Sequence, residues 1–225
     1  MTSPANPGTT LVDPIHPVDR ASLAEYMRDY IAPFTGELVV EQYQGGQSNP
    51  TYRITAGDVR YVLRRKPLGV LLPSAHAVDR EYRVMAALAS TEVPVARMLA
   101  FCEDASVLGT AFYVMEYVEG RILWDPALPG MSPGERAAHY NELNRVIAAL
   151  HRVDYSAVGL TDFGRSGQYI ERQIARWSKQ YQAASAERIA AMDRLIEWLP
   201  ANLPGNDETS VVHGDYRLDN VIFHP

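Results

Sequence analysis

The chain has 225 residues, 47% apolar and 21% charged, ordinary proportions for a globular protein and enough to bury a core as one large domain or two small lobes. Twenty-one basic against 27 acidic residues give a net charge of −6, and no basic run exceeds Arg64-Arg65-Lys66, which argues against a nucleic-acid surface. Cys102 alone allows no internal disulfide and fits a reducing cytoplasm, and no apolar run approaches the ~20 residues that span a bilayer, so no membrane partner is expected.

Residues 1–18 carry Pro4, Pro7, Pro14 and Pro17 and read as a mobile, extended arm. From Asp19 the spacing of Leu23, Met27, Tyr30 and Ile31 predicts a helix that Pro33 stops. Three short strands follow, Glu37 to Tyr43, Thr51 to Thr55 and Arg60 to Arg64, joined by Gly45-Gly46-Gln47-Ser48-Asn49-Pro50 and by Gly57-Asp58, as in an antiparallel meander. A helix over Ser74 to Ser90 turns Tyr82, Met85, Leu88 and Ala89 inward and leaves Glu81 at the margin of that stripe. Two more strands, Val95 to Glu103 and Ala111 to Tyr117, lead to Gly120, a hinge into a second lobe.

Beyond the hinge the pattern is mainly helical. Ser132-Pro133-Gly134-Glu135 is a capping box opening a helix with Tyr140, Leu143, Ile147 and Leu150 on one stripe. Helices over Gln168 to Gln182 (Ile170, Ile174, Trp177, Tyr181) and Ala186 to Leu199 (Ile189, Met192, Ile196, Leu199) are expected to bury their stripes as core. The division expected is an arm over 1–18, an N-lobe over 19–119 and a partial C-lobe over 120–225.

The chemistry concentrates near the end, where two β-rich runs, Ser210 to Val212 and Val221 to Phe223, flank His213, a Gly214 turn, Asp215, Arg217, Asp219 and Asn220. An Asp can accept the proton of an attacking hydroxyl, and an Asn amide oxygen can hold Mg²⁺ against a phosphate. Asp215 and Asn220 keep the five-residue spacing of the protein-kinase loop H-R-D-x-x-x-x-N. Earlier in the chain, Gly45 and Gly46 would let backbone N–H groups approach an anion, Ser48 adds a hydroxyl, and Arg64 shares a strand face with Val62. Each of these has a plainer reading: a hairpin turn, or a strand arginine facing solvent.

G-G-Q-S-N-P-T-Y, Y-V-L-R-R-K-P, A-H-A-V-D-R-E-Y-R-V-M, F-Y-V-M-E-Y-V-E-G-R and V-V-H-G-D-Y-R-L-D-N-V-I-F-H-P occur in one order. In that order they resemble the kinase-like aminoglycoside phosphotransferase family, and within it the kinase-like domains attached to some acyl-CoA dehydrogenases. The resemblance implies an α+β, protein-kinase-like, two-lobed fold: a five-stranded antiparallel N-lobe with one helix, and a mainly helical C-lobe cut off after the catalytic loop. It also implies ATP and Mg²⁺ as cofactors and a small-molecule hydroxyl, such as a hydroxyacyl-CoA-like metabolite, as acceptor. Gly45, Gly46 and Ser48 would cover the nucleotide. Arg64 would pair its phosphates, with Lys66 as second choice, and Glu81 would be the ion-pair partner. Glu116, Tyr117 and Val118 would bind the adenine edge through backbone atoms, with Met115 lining that pocket. Asp215 would be the base, Arg217 a cation facing the transferred phosphoryl group, Asn220 a metal ligand, and His213 a brace of the loop.

The family's second metal ligand is an Asp on the strand after Val221 to Phe223, and the sequence stops at Pro225. A catalytically impaired fragment that self-associates through an exposed sheet edge is therefore expected. The competing readings are a nucleotide-binding module without turnover, and a metal-dependent hydrolase built on His213, Asp215, Asp219 and His224.

Overall fold

The computed structural model describes residues 8–44, 49–69, 76–165, 167–184, 188–205 and 208–225. They form two units, one of Met1–Val153 with Val212–Pro225, the other of Asp154–Val211.

The first unit is built on one antiparallel sheet. Its strands are β1 (Thr9–Thr10), β2 (Leu38–Tyr43), β3 (Thr51–Ala56), β4 (Val59–Arg65), β5 (Met98–Cys102) and β6 (Phe112–Glu116), in the order β1-β2-β3-β4-β6-β5. Side chains alternate between the faces of a strand, so Leu38, Val40, Tyr52, Ile54, Leu63, Phe112 and Val114 form one buried face. Helix α1 (Arg20–Tyr30) supplies Leu23, Ala24 and Met27 to that core. Its start is fixed by Asp19, whose carboxylate accepts from the N–H groups of Ala21 and Ser22. The opposite face meets helix α2 (Val78–Leu88), where Tyr82 stacks on Phe101 with ring centroids 5.3 Å apart. A short helix, α3 (Ala105–Leu108), joins β5 to β6 and ends at Gly109 with φ +83°.

Two expectations need correction here. The sheet has six strands instead of five, and both α1 and α2 pack on it instead of one helix. The added strand comes from the stretch read as a mobile arm. Thr9 and Thr10 pair with Tyr43 and Gln42, and the Asp13 N–H donates to Gln42 Oε1 at 2.8 Å. Tyr52 and Arg65, whose polar ends are buried under the sheet, donate to the carbonyls of His16 and Pro17. Buried donors need acceptors, and a proline-rich segment still offers its carbonyl oxygens.

Helix α4 (Pro133–His151) opens with both capping-box bonds formed, Glu135 N–H to Ser132 Oγ at 3.3 Å and Ser132 N–H to Glu135 Oε2 at 2.7 Å. Tyr140 is 41% exposed rather than core, and its hydroxyl donates to the Pro126 carbonyl. Ser210 to Val212 is not a strand, and of Val221 to Phe223 only Phe223 pairs, through one antiparallel bridge to Arg121. A β-prone run extends into a ladder only where partner backbone lies alongside.

The second unit holds α5 (Tyr169–Ala184) and α6 (Ala190–Ala201), neither with a buried residue among those described. The expectation that their stripes are core is overturned: Trp177 is 60% exposed and Ile189 56%. Two helices share one seam and leave most of each apolar face outward. Ile174, Ala175, Ser178, Ile196, Pro200 and Leu203 line a cleft of about 270 Å³ along that seam.

Glu41 clamps three strands, accepting from Thr9 Oγ1 at 2.8 Å and from Arg53 Nε and Nη2 at 3.0 and 2.7 Å. The Arg53 hydrogen bonds, then that of Thr9, hold its carboxyl below the ordinary value of 4.5. A carboxyl depressed on folding contributes stability above its unfolded pKa and loses it as pH falls through the folded one. Glu41→Gln should therefore lower Tm by a few degrees at pH 7, from a pair worth roughly 0.5–1 kcal/mol. It should also flatten the fall of Tm below pH 4.5, read by thermal unfolding across pH.

Candidate active site

Arg64 and Glu81 meet. β4 pairs with β3 and β6 so that Arg64 lies opposite Thr51 on one side and Tyr113 on the other. Its side chain points to the α2 face, where Arg64 Nε stands 2.8 Å from Glu81 Oε2. Its Nη1 donates to Thr51 Oγ1 at 3.4 Å. Lys66 lies past the end of β4, and its side chain makes no hydrogen bond or ion pair among the described residues. Its backbone is spliced to β6 instead, with its N–H on the Ala111 carbonyl and its own carbonyl accepting from Thr110 Oγ1. Gly45, Gly46 and Ser48 lie outside the described residues.

Glu81 has further partners that sequence reasoning missed. Asn49 Nδ2 donates to its Oε1 at 2.9 Å, and the Tyr113 hydroxyl donates to its Oε2 at 3.0 Å. Burial first, and then the Glu81 carboxylate, push the Tyr113 phenol well above its ordinary pKa, so it stays a neutral donor. Asn49 sits at the end of a Gly-rich turn and passes for a turn residue. Only its neighbour Pro50, which fixes the chain into β3, hints at a constrained position.

The segment expected to bind the adenine edge follows directly from β6. Met115 pairs with Val62 across the ladder, and Glu116 is held by its N–H on the Arg97 carbonyl and by its Oε1 accepting from the Arg97 N–H. Tyr117 and Val118 come next, both half-buried. The Arg60 guanidinium lies 4.3 Å above the Tyr117 ring and is also paired with Glu119. Burial, with Tyr117 beside it, pushes the Tyr43 phenol up to about 12.

The loop of residues 213–220 is organised around Asp215. Gly214 takes φ +80°, a left-handed turn that a side chain would strain. The Asp215 N–H donates to His213 Nδ1 at 3.3 Å, and Asn220 Nδ2 donates at 2.8 Å to both the carbonyl and Oδ2 of Asp215. Arg217 spans two carboxylates, with Nε 3.1 Å from Asp215 Oδ1 and Nη2 3.1 Å from Asp219 Oδ2. Leu218 is buried and anchors the 3₁₀ turn Leu218–Asn220, and the Tyr216 hydroxyl donates to the Leu143 carbonyl of α4. The structure thus gathers Asp215, Arg217 and Asn220 on one exposed loop. Among the described residues no group of three or more His, Cys, Asp or Glu side chains could hold a metal, so the His213–His224 hydrolase site does not assemble. Asn220 Oδ1 is left as an oxygen donor once its nitrogen serves Asp215.

The model of the phosphotransferase enzyme family matches residues 39–225. The chain belongs to that family. Acyl-CoA dehydrogenase family member 10 of Mus musculus is 49% identical over 220 residues, covering 97% of this chain and 21% of that protein. Acyl-CoA dehydrogenase family member 11 of Homo sapiens is 46% identical, covering 94% of this chain and 28% of its own length. The chain therefore spans between a fifth and three tenths of these relatives. A Ralstonia eutropha JMP134 protein assigned to the aminoglycoside phosphotransferases, known from a crystal structure, superposes with a TM-score of 0.82 at 55% identity, over 92% of this chain and 61% of that one. The GDP complex of aminoglycoside 2'-phosphotransferase-IIIa shares the fold at TM-score 0.62 and 15% identity.

Within this family member, Gly120 sets how closely the segment after β6 approaches Ile222 and Phe223. A Cβ there would stand 2.4 Å from Ile222 Cγ2 and 2.6 Å from the Phe223 carbonyl oxygen. The next residue, Arg121, exchanges both backbone hydrogen bonds with Phe223, at 3.0 and 2.9 Å. Gly120→Ala should break this bridge and cost about 1–3 kcal/mol through overpacking. Thermal unfolding and faster proteolysis after Phe223 would report it.

Proposed function

We propose that the chain carries the nucleotide cleft and catalytic loop of an ATP-dependent phosphotransferase that moves a terminal phosphoryl group to a hydroxyl of a small molecule. The observation that carries this reading is the double donation of Asn220 Nδ2 to Asp215. It holds one Asp215 oxygen in a fixed place and turns the Asn220 amide oxygen outward.

In this reading Arg64, oriented by Glu81, takes the nucleotide phosphates. The backbone around Glu116, Tyr117 and Val118 takes the adenine edge, with Met115 lining the pocket. The acceptor hydroxyl donates to the Asp215 carboxylate, which receives its proton as the oxygen attacks phosphorus in line. Arg217, exposed and held among the described residues by surface ion pairs that are cheap to break, can swing toward the charge developing on the phosphoryl oxygens. Asn220 Oδ1 fits one position of a Mg²⁺ carried on the nucleotide, an ion that would neutralise phosphate charge. The acyl-CoA dehydrogenase names of the relatives support a hydroxylated acyl-CoA-like acceptor over an aminoglycoside. The free, buried Cys102 suits a reducing cytoplasm.

Asp215→Ala should lower kcat by about 10²- to 10⁴-fold while leaving ATP affinity within about twofold, because a general base acts in the transition state. Arg64→Ala should do the reverse and weaken ATP binding. Both are read by calorimetric titration of ATP with Mg²⁺ beside a coupled ADP-release assay against hydroxyacyl-CoA. ATP binding with no turnover on any hydroxylated acceptor would favour the non-catalytic nucleotide-binding module instead.

A further inference from the structure

Glu81 is held on both oxygens by buried side chains. Asn49 is 1% exposed and Tyr113 2% exposed, and each spends its donor on this carboxylate. The arrangement continues one step outward. Glu81 only accepts, so Asn49 must turn its nitrogen toward it and its Oδ1 toward His76, whose Nδ1 lies 3.0 Å away and therefore carries a proton. His76 itself holds φ at +59°, in the left-handed region. A relay His76–Asn49–Glu81–Arg64 thus crosses from the head of α2 to the end of β4, with Tyr113 bracing it from β6.

We infer that Asn49 and Tyr113 are positioning residues that act on the nucleotide through Arg64. A buried amide and a buried phenol contribute little net stability compared with apolar groups of the same shape, because each must first be stripped of water. What they supply is direction. With Oε1 taken by Asn49, and Oε2 shared by Tyr113 and Arg64 Nε, Glu81 has one orientation. It holds the guanidinium by charge, with Arg64 Nε 2.8 Å away in an ion pair that makes no hydrogen bond. Arg64 Nη2 then has no hydrogen-bond partner among the described residues and is left for a phosphate oxygen. The inference rests on the proposed role of Arg64 as the phosphate-pairing cation.

The test is a double-mutant cycle read by calorimetric titration of ATP with Mg²⁺. Asn49→Ala and Tyr113→Phe are each made in the native chain and in Arg64→Ala, with thermal unfolding of every variant alongside. Each should weaken ATP about tenfold in the native background, the effect of losing one hydrogen bond to a charged group. Neither should change affinity when Arg64 is already absent. Equal losses in both backgrounds, or none in either, would overturn the inference and leave a merely structural role. Tyr113→Phe keeps the ring and loses only the hydroxyl, so it decides the matter if Asn49→Ala fails to fold. Unchanged affinity in Arg64→Ala alone would overturn the nucleotide site itself and this inference with it, an outcome distinct from the others.

Discussion

The register of β4 against β3 and β6 is the constraint on which the rest depends. Two arginines stand side by side at its end, and alternation sends them to opposite faces. Arg65 is fully buried toward α1, where Nη1 donates to the carbonyls of Pro17 and Leu108, and Nη2 to the Tyr52 hydroxyl. Burial lowers its guanidinium pKa, yet the carbonyls and the Tyr52 hydroxyl keep most of its donors satisfied. Arg64 faces α2 and Glu81. A slip of one residue would turn every side chain of β4 to the other face, taking Leu63 out of the α1 core and Arg64 away from Glu81. The burial of Leu63, Phe112 and Val114 beside Arg65 is therefore also what aims Arg64.

The same register ties the first residues of the chain to the site. Pro17 and His16 accept from Arg65 and Tyr52, and β1 closes the edge of the sheet beside Glu41. Covering an open edge and meeting buried donors are both served by a segment with almost no secondary structure of its own. Proline content alone argued for a mobile arm, because composition describes what a segment does in isolation and not which buried donors lie waiting for its carbonyls.

Elsewhere, what was legible followed from local rules. The capping box at Ser132 and the helix beginning after Asp19 come from spacing within one element, and the Arg64–Glu81 encounter was expected from the family resemblance. The strands expected around the loop at Asp215 failed for a different reason. Val211, Val212, Val221 and Ile222 favour a pleated surface, but a ladder needs a partner backbone, and among the described residues Arg121 bridges only Phe223. The stripes of α5 and α6 show the same limit, since periodicity says which face is apolar and not what lies against it. Asn49 and Tyr113 were hidden because their types suit a turn and a core strand, and only three-dimensional placement reveals that both donors end on one carboxylate.

The choice of arginine explains why that carboxylate is held so firmly. An ammonium is a compact charge that serves a phosphate from many directions, so its carboxylate partner can tolerate some freedom. A guanidinium is a planar fork whose useful edge depends on the orientation of the whole group. The Arg64 guanidinium is placed by its ion pair with Glu81 and by Nη1 on Thr51 Oγ1, so its position is as well defined as Glu81 is. A carboxylate tied at one oxygen can still rotate. One tied at both, by Asn49 from the chain entering β3 and by Tyr113 from β6, cannot rotate without breaking a half-buried hydrogen bond. Arginine at the end of β4 thus calls for additional donors around Glu81, and the fold supplies them from the chain entering β3 and from β6.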